Sequence, residues 1–284
     1  MPELSPLKVK DLPLESQHDF LAALVKETKS AKGIICNSFE ELESSAFARV
    51  QIDLPIPVFL IGPLHSHSPA SSSSTSGQDQ TTMSWLDTRP PNSVIYVSFG
   101  SIVTMSKYDV VEIAWGLAHS MQPFLWVIRS GLVVDVEEND PLREGFFDYL
   151  EGRGHIVKWA PQNDILAHPA IGGFLTHCGW NSTLESISAG VPMICLPLFA
   201  DQAINARYVS EEWNIGLQLE AGVKREDVVK AVRRLMVEEE GEDMRNRVRS
   251  LKEQAKLAVT EGGSSYKSLE SLTSFLIGVT VTHP

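Results

Sequence analysis

The sequence predicts an α/β protein built on a doubly wound parallel sheet, and three observations carry that expectation. From Trp85 onward, short apolar runs alternate with helical patterns, the order that builds parallel sheets. Within residues 159–202, two such runs, Gly173-Phe174-Leu175-Thr176 and Met193-Ile194-Cys195-Leu196, flank a polar segment that starts a helix, His177-Cys178-Gly179-Trp180-Asn181-Ser182-Thr183-Leu184-Glu185. That is a β-turn-α-β unit, the kind that collects ligands beyond the carboxyl ends of its strands. Finally, 284 residues with 43% hydrophobic and 21% charged content can bury a sizeable core, in one large domain or two ordinary ones.

In chain order, residues 14–29 carry helical spacing through Phe20, Leu21, Leu24 and Val25, and 33–37 read as a buried strand. Residues 40–50 predict a short helix and 55–63 an extended exit punctuated by prolines. One parallel-type strand cannot make a sheet, so its neighbours are either the later strands or missing. Residues 65–82 are serine-rich and predict a flexible connection, with His65 and His67 in a solvated loop rather than a metal site. A strand at 93–99 ends in Gly100-Ser101 and leads to a helix at 106–120. Strands at 124–128 and 155–158 bracket an acidic loop at 131–140, and a short helix covers 162–168. Beyond the central unit come a helix at 201–213, a strand at 215–219 and helices at 224–239, 242–260 and 264–277.

A net charge of -12 argues against nucleic acid as a partner, because no basic field exists to recruit a polyanion. A small anion stays compatible, since screening over about 8 Å leaves local groups in control. Cys36, Cys178 and Cys195 lack paired spacing, which points to a reducing compartment. No signal-peptide pattern opens the chain, and the apolar tail at 269–281 is interrupted and too short for a bilayer of about 30 Å. The expected location is cytoplasmic, with no membrane span.

The chemistry concentrates at strand-to-helix turns. Helix-start amides attract phosphate, Gly179 admits close backbone approach, and His177, Asn181 and Ser182 add donors. Ser182-Thr183-Leu184-Glu185 also fits a capping box, which would explain Ser182 and Glu185 by helix stability alone; His177 and Trp180 are not needed by a cap. Gly100-Ser101 is a second glycine turn able to cradle phosphate. Trp159-Ala160-Pro161-Gln162 offers an indole for core packing or for stacking on a base, and Gln162 could bond a hydroxyl. Asp201-Gln202 could cap a helix or accept bonds from sugar hydroxyls. Phosphate-binding P-loops, dinucleotide fingerprints, zinc-protease and nucleophile-elbow motifs are all absent from the sequence. His168, His177 and Cys178 lack the spacing of a zinc site, so no metal is assigned.

Residues 159–202 resemble the signature box of plant family 1 UDP-glycosyltransferases, through W-A-P-Q, H-C-G-W-N-S-x-x-E, G-V-P and the closing D-Q. The resemblance extends outward through SVIYVSFGS, N-A-R-Y-V and the C-terminal helices. It implies the GT-B architecture of two Rossmann-like domains, here a donor domain with a remnant of the N-terminal one. The implied division is 1–62 as remnant of the acceptor domain, 63–83 as linker, 84–262 as UDP-sugar-binding domain and 263–284 as C-terminal helix and tail.

The resemblance also implies roles. Trp159 would stack on uracil, Ala160 would bond its edge, and Gln162 and Glu185 would face the ribose. His177, Asn181, Ser182 and Ser101 would hold the diphosphate, while Trp180, Asp201 and Gln202 would contact the sugar. The closing glutamine favours glucose. UDP-glucose enters as substrate, a small plant metabolite is the acceptor, and no cofactor or metal is implied. No residue matches the family's catalytic histidine or the aspartate that orients it, and His18 does not take that place. Two further readings accompany the inverting glucosyltransferase: an inactive truncated isoform serving as a UDP-sugar binding or interaction module, with an exposed apolar patch around Leu21, Ile34 and Ile35, and a UDP-sugar epimerase.

Overall fold

Parallel strands need long crossovers, and this chain supplies a helix between every successive pair of its described strands. A computed structural model describes residues 5–12, 18–67, 77–129, 131–132, 145–220 and 222–281. The chain forms two compact units, one of Pro13–Ser72 with Ser250–Pro284, the other of Met1–Leu12 with Ser73–Arg249.

The smaller unit starts with α1 (His18–Ser30), β1 (Ile34–Cys36), α2 (Glu40–Asp53) and β2 (Val58–Leu60). The extended exit expected at 55–63 is thus partly a strand, and it supplies the missing neighbour: β2 pairs parallel with β1 in the register Ile34↔Val58, Ile35↔Phe59, Cys36↔Leu60. Prolines at 55, 57 and 63 hid it, yet they stand outside the three paired residues, where a missing N–H does no harm. Of the expected apolar patch around Leu21, Ile34 and Ile35, Ile35 is 55% exposed; outside that set, Leu24 and Val25 of α1 are exposed as well. Leu21 and Ile34 are half-buried.

Residues 64–67 form a short 3-10 turn in which a His67 ring nitrogen bonds the Ile61 carbonyl at 2.8 Å, so this part of the expected loop is ordered. The expected flexible connection also gives way to α3 (Gly77–Asp87); its remainder, 68–76, lies outside the described residues.

The larger unit then runs β3 (Val94–Ser98), α4 (Lys107–Ser120), β4 (Phe124–Val127), α5 (Phe146–Leu150), β5 (Gly154–Val157), α6 (Gln162–Ala167), β6 (Ile171–Thr176), α7 (Trp180–Ala189), β7 (Met193–Cys195), α8 (Gln202–Arg207), β8 (Gly216–Gln218) and α9 (Arg225–Met236), and α10 (Glu239–Val259) belongs to it as far as Arg249 and to the smaller unit from Ser250. The expected acidic loop lies outside the described residues beyond 132. The expected 201–213 helix divides into α8 and a π-helical turn at Tyr208–Glu212. Back in the smaller unit, α11 (Ser264–Val281) brings Leu272 and Phe275 against Phe59 and Ile61.

The six strands of the larger sheet lie in the order β5-β4-β3-β6-β7-β8, all parallel. Every residue of β3, β6 and β7 is buried, as expected of strands covered on both faces. The chain builds outward from β3 in one direction, then returns to its other side with β6. That reversal opens a crevice at the carboxyl ends of β3 and β6.

Two helices lock one face. Glu112 of α4 is 6% exposed and accepts the Arg225 backbone N–H at 2.9 Å together with its guanidinium, which holds the carboxyl below the usual range. Beside it, a methyl on Gly116 would stand 2.5 Å from Val228 Cβ and 3.0 Å from the Arg225 carbonyl, so glycine sets the closeness of α4 and α9. Gly116→Ala should therefore destabilise the protein by about 1–3 kcal/mol in urea unfolding. A helix-propensity effect alone would stabilise by about 0.5–1 kcal/mol, and a gain of that sign would refute the packing argument.

Candidate functional site

Beyond β3 the chain turns at Gly100, whose φ of +72° favours glycine. Arg129, just past β4, fixes this turn: its Nε donates to the Gly100 carbonyl at 2.9 Å and its Nη2 to that of Val103. Beyond β6, His177 enters the turn ahead of α7. Its ring lies between two glycines: a Cβ on Gly100 would meet Cε1 at 2.8 Å, and one on Gly179 would meet Nε2 at 2.5 Å. Burial depresses the pKa of His177 to about 4, against a smaller opposing pull from Asp201, so the imidazole is neutral at pH 7.

Between them, Cys178 adopts a left-handed φ of 60°. The Thr176 hydroxyl accepts its N–H at 3.2 Å, and Asn205 Nδ2 donates to its carbonyl at 3.0 Å. Its thiol is fully buried; burial first, then neighbouring Cys195, raise its pKa well above the ordinary value, so it is no nucleophile.

α7 is capped at Gly179, without a side-chain capping bond. This overturns the capping-box reading of Ser182 and Glu185. Ser182 is the third helical residue, too late to cap; its Oγ instead accepts from Gln162 Nε2 at 3.0 Å. Glu185 accepts from the same Nε2 at 2.5 Å, and burial, partly opposed by that bond, raises its pKa. The Tyr96 hydroxyl, stacked ring-on-ring with Phe174 below, donates to Gln162 Oε1 at 3.3 Å. The helix start brings Trp180, Asn181 and Ser182 to the crevice, with the positive end of its dipole.

Opposite stands the turn after β7. Asp201 precedes α8 without capping it; its Oδ2 accepts from Asn205 Nδ2 at 3.0 Å. Gln202 is 3% exposed, and its Oε1 accepts the N–H groups of Leu198 and Phe199 at 2.9 and 3.1 Å. Gln202 lines the crevice, and its amide Nε2 is the donor it can offer a ligand.

These turns enclose a cavity of about 310 Å³. Seven predicted residues line it: Ser101, His177, Trp180, Asn181, Ser182, Asp201 and Gln202. Gln162 adjoins it through Ser182, and Glu185 through Gln162. Trp159 and Ala160 follow β5 and are not among its walls; Trp159 is 54% exposed and Ala160 8%. Sequence reasoning missed Arg129 and Asn205. For Asn205 a signal existed: it stands four residues after Asp201, on the same face of a helix. Arg129 had only its place just past a strand's carboxyl end.

The family described as UDP-glucoronosyl and UDP-glucosyl transferase matches residues 49–252. The chain is 48% identical over 283 residues to UDP-glycosyltransferase 76B1 of Arabidopsis thaliana, covering 98% of this chain and 63% of that protein. It is 49% identical over 275 residues to UDP-glycosyltransferase 76G1 of Stevia rebaudiana, covering 95% and 59%. Among solved structures it is similar to Phytolacca americana UGT2 complexed with UDP-2fluoro-glucose and pterostilbene, with a TM-score of 0.82, 37% identity and coverage of 95% and 61%. It is also similar to a ugt transferase from Siraitia grosvenorii in complex with UDP, with a TM-score of 0.81, 32% identity and coverage of 94% and 62%. The chain thus spans about three fifths of the length of these relatives. Its larger unit is a Rossmann-like domain of the GT-B architecture. On the match over residues 49–252 and these identities, the chain belongs to the UDP-glucoronosyl and UDP-glucosyl transferase family of plants.

Proposed function

We propose that the protein transfers glucose from UDP-glucose to a small plant metabolite with inversion at the anomeric carbon, and that this chain supplies the donor side of the reaction. The observation that carries the reading is the convergence of the α7 helix start, His177 and the Gly100-Ser101 turn on one cavity, facing Asp201 and Gln202. The two similar structures described above hold UDP and a UDP-glucose analogue, which supports the same ligand here.

In this reading the diphosphate rests at the start of α7, bonded by Asn181, Ser182, Ser101 and a neutral His177 that donates one N–H. Trp159, half-exposed after β5, stacks on uracil, and Ala160 bonds its edge through the backbone. Glu185, its orientation set by Gln162, faces the ribose. Trp180, Asp201 and the Nε2 of Gln202 contact the sugar. As the sugar–phosphate bond breaks, negative charge grows on the departing UDP. Donors already fixed in place lower that barrier, since they need no reorganisation when the charge appears. No resident metal or cofactor is required. Deprotonation of the acceptor is assigned to no residue of this chain, and the acceptor is described only as a small molecule. We place the reaction in the cytoplasm; no helix among the described residues is long and apolar enough to cross a membrane.

Calorimetry with UDP is the direct test: the folded chain is expected to bind it, and a folded chain that takes up no UDP refutes the reading. Trp159→Ala should weaken UDP binding by about 1–3 kcal/mol if the indole stacks on the base; unchanged affinity removes that role.

The state of His177 has its own signature. With a pKa of about 4 when folded and 6.5 ordinarily, the unfolded chain binds a proton between these values that the folded chain refuses. Stability from this residue is therefore complete above about pH 6.5 and is lost as pH falls toward about 4. His177→Gln should show a shallower loss of unfolding free energy between about pH 6.5 and 4 than the wild type. Parallel slopes in denaturant titrations across that window would show that the ring is not buried neutral.

A further inference from the structure

We propose that Asn205, which does not line the cavity, is a positioning residue that couples its diphosphate side to its sugar side; the proposal rests on the donor-site reading above. One atom does this work. Nδ2 of Asn205 carries two protons and faces two acceptors, the Cys178 carbonyl and Asp201 Oδ2, each at 3.0 Å. The first acceptor belongs to the left-handed residue between His177 and Gly179, so the bond holds the turn that presents the helix start. The second is the carboxylate on the opposite wall of the cavity.

Asn205 is itself 7% exposed, and its own N–H bonds the Asp201 carbonyl at 3.0 Å, fixing the amide relative to the carboxylate. The Cys178 N–H is tied separately to Thr176, so the strained residue is gripped at both ends and Asn205 is the grip on its carbonyl side. Among side chains of this reach, only an asparagine has two donors on one atom. Serine offers one, aspartate none when ionised, and alanine leaves the buried carbonyl without its donor. With Oδ2 engaged and the rotamer fixed, Oδ1 of Asp201 is the oxygen directed to a sugar hydroxyl. Neither contact involves the ligand, so the effect of Asn205 must pass through Cys178 and Asp201.

Calorimetry with UDP and with UDP-glucose separates the two arms. Asn205→Ala should weaken UDP binding about threefold and UDP-glucose binding about tenfold, the excess being the contribution of Asp201. Asn205→Ser, with one donor, should fall between, and it serves for the same comparison if the alanine variant does not fold. In an Asp201→Ala background, the extra loss seen with UDP-glucose should vanish while the threefold loss with UDP persists. Unchanged affinities, or equal losses for both ligands whether or not Asp201 is present, overturn the coupling while leaving the donor site standing. A wild-type chain that binds neither ligand overturns the donor-site reading, and the coupling with it.

Discussion

One wedged ring sets the geometry at the carboxyl edge of the larger sheet. His177 fits between Gly100 and Gly179 so closely that a single methyl group on either glycine would collide with it. The two turns that make the crevice come from β3 and β6, adjacent in the sheet but far apart in sequence, and the ring is the solid body that fixes their spacing. Its position requires the chain to pass through a left-handed Cys178, and that strain is sustained by bonds from Thr176 and Asn205. Strain of this kind, of order 1–3 kcal/mol, persists only where the surroundings over-determine it. Here the surroundings are two buried strands, β6 and β7, with α8 packed beyond them.

Around the ring, the polar side chains are occupied with one another before any ligand arrives. Gln162 gives both protons of its amide to Ser182 and Glu185 and receives the Tyr96 hydroxyl. Gln202 uses its oxygen on two backbone amides, and Arg129 uses its guanidinium on two backbone carbonyls. Such bonds contribute only about 1 kcal/mol each to folding, but they remove the freedom that a ligand would otherwise have to freeze. What remains for a ligand is a small set of groups whose directions are already fixed.

The sequence made the architecture legible because the larger unit writes it twice. Largely apolar runs mark β3, β6 and β7, and the turn residues after them mark the crevice. The errors have physical causes. Prolines that would break a central strand only flank β2, so a strand resembled an exit. Serine-rich composition masked α3, whose helix starts at Gly77. Ser182 and Glu185 fit a capping pattern, but the helix begins earlier, at Gly179, which leaves both residues inside it and frees them for Gln162. Arg129 and Asn205 reach the Gly100 and Cys178 carbonyls across separations of 29 and 27 residues, bonds that no local pattern announces; of the Asn205 contacts only the one to Asp201, four residues away, was legible.

Among the described residues that line the cavity there is neither lysine nor arginine, and the charged one is the anionic Asp201. In a chain of net charge -12, an anionic ligand must then be held by dipoles: helix-start amides, hydroxyls, carboxamides and a neutral imidazole. For the proposed sugar transfer, dipoles suit the leaving group. A diphosphate clamped between guanidinium groups would be bound strongly before and after the sugar departs, and its release would be slow. Oriented dipoles in a partly enclosed crevice stabilise the charge where it develops, yet compete less with water once the product begins to leave. Neutrality of His177 belongs to the same logic. An imidazolium wedged between two glycines would bring a fixed positive charge into a buried place, and burial instead keeps the ring an uncharged donor whose direction the two turns dictate.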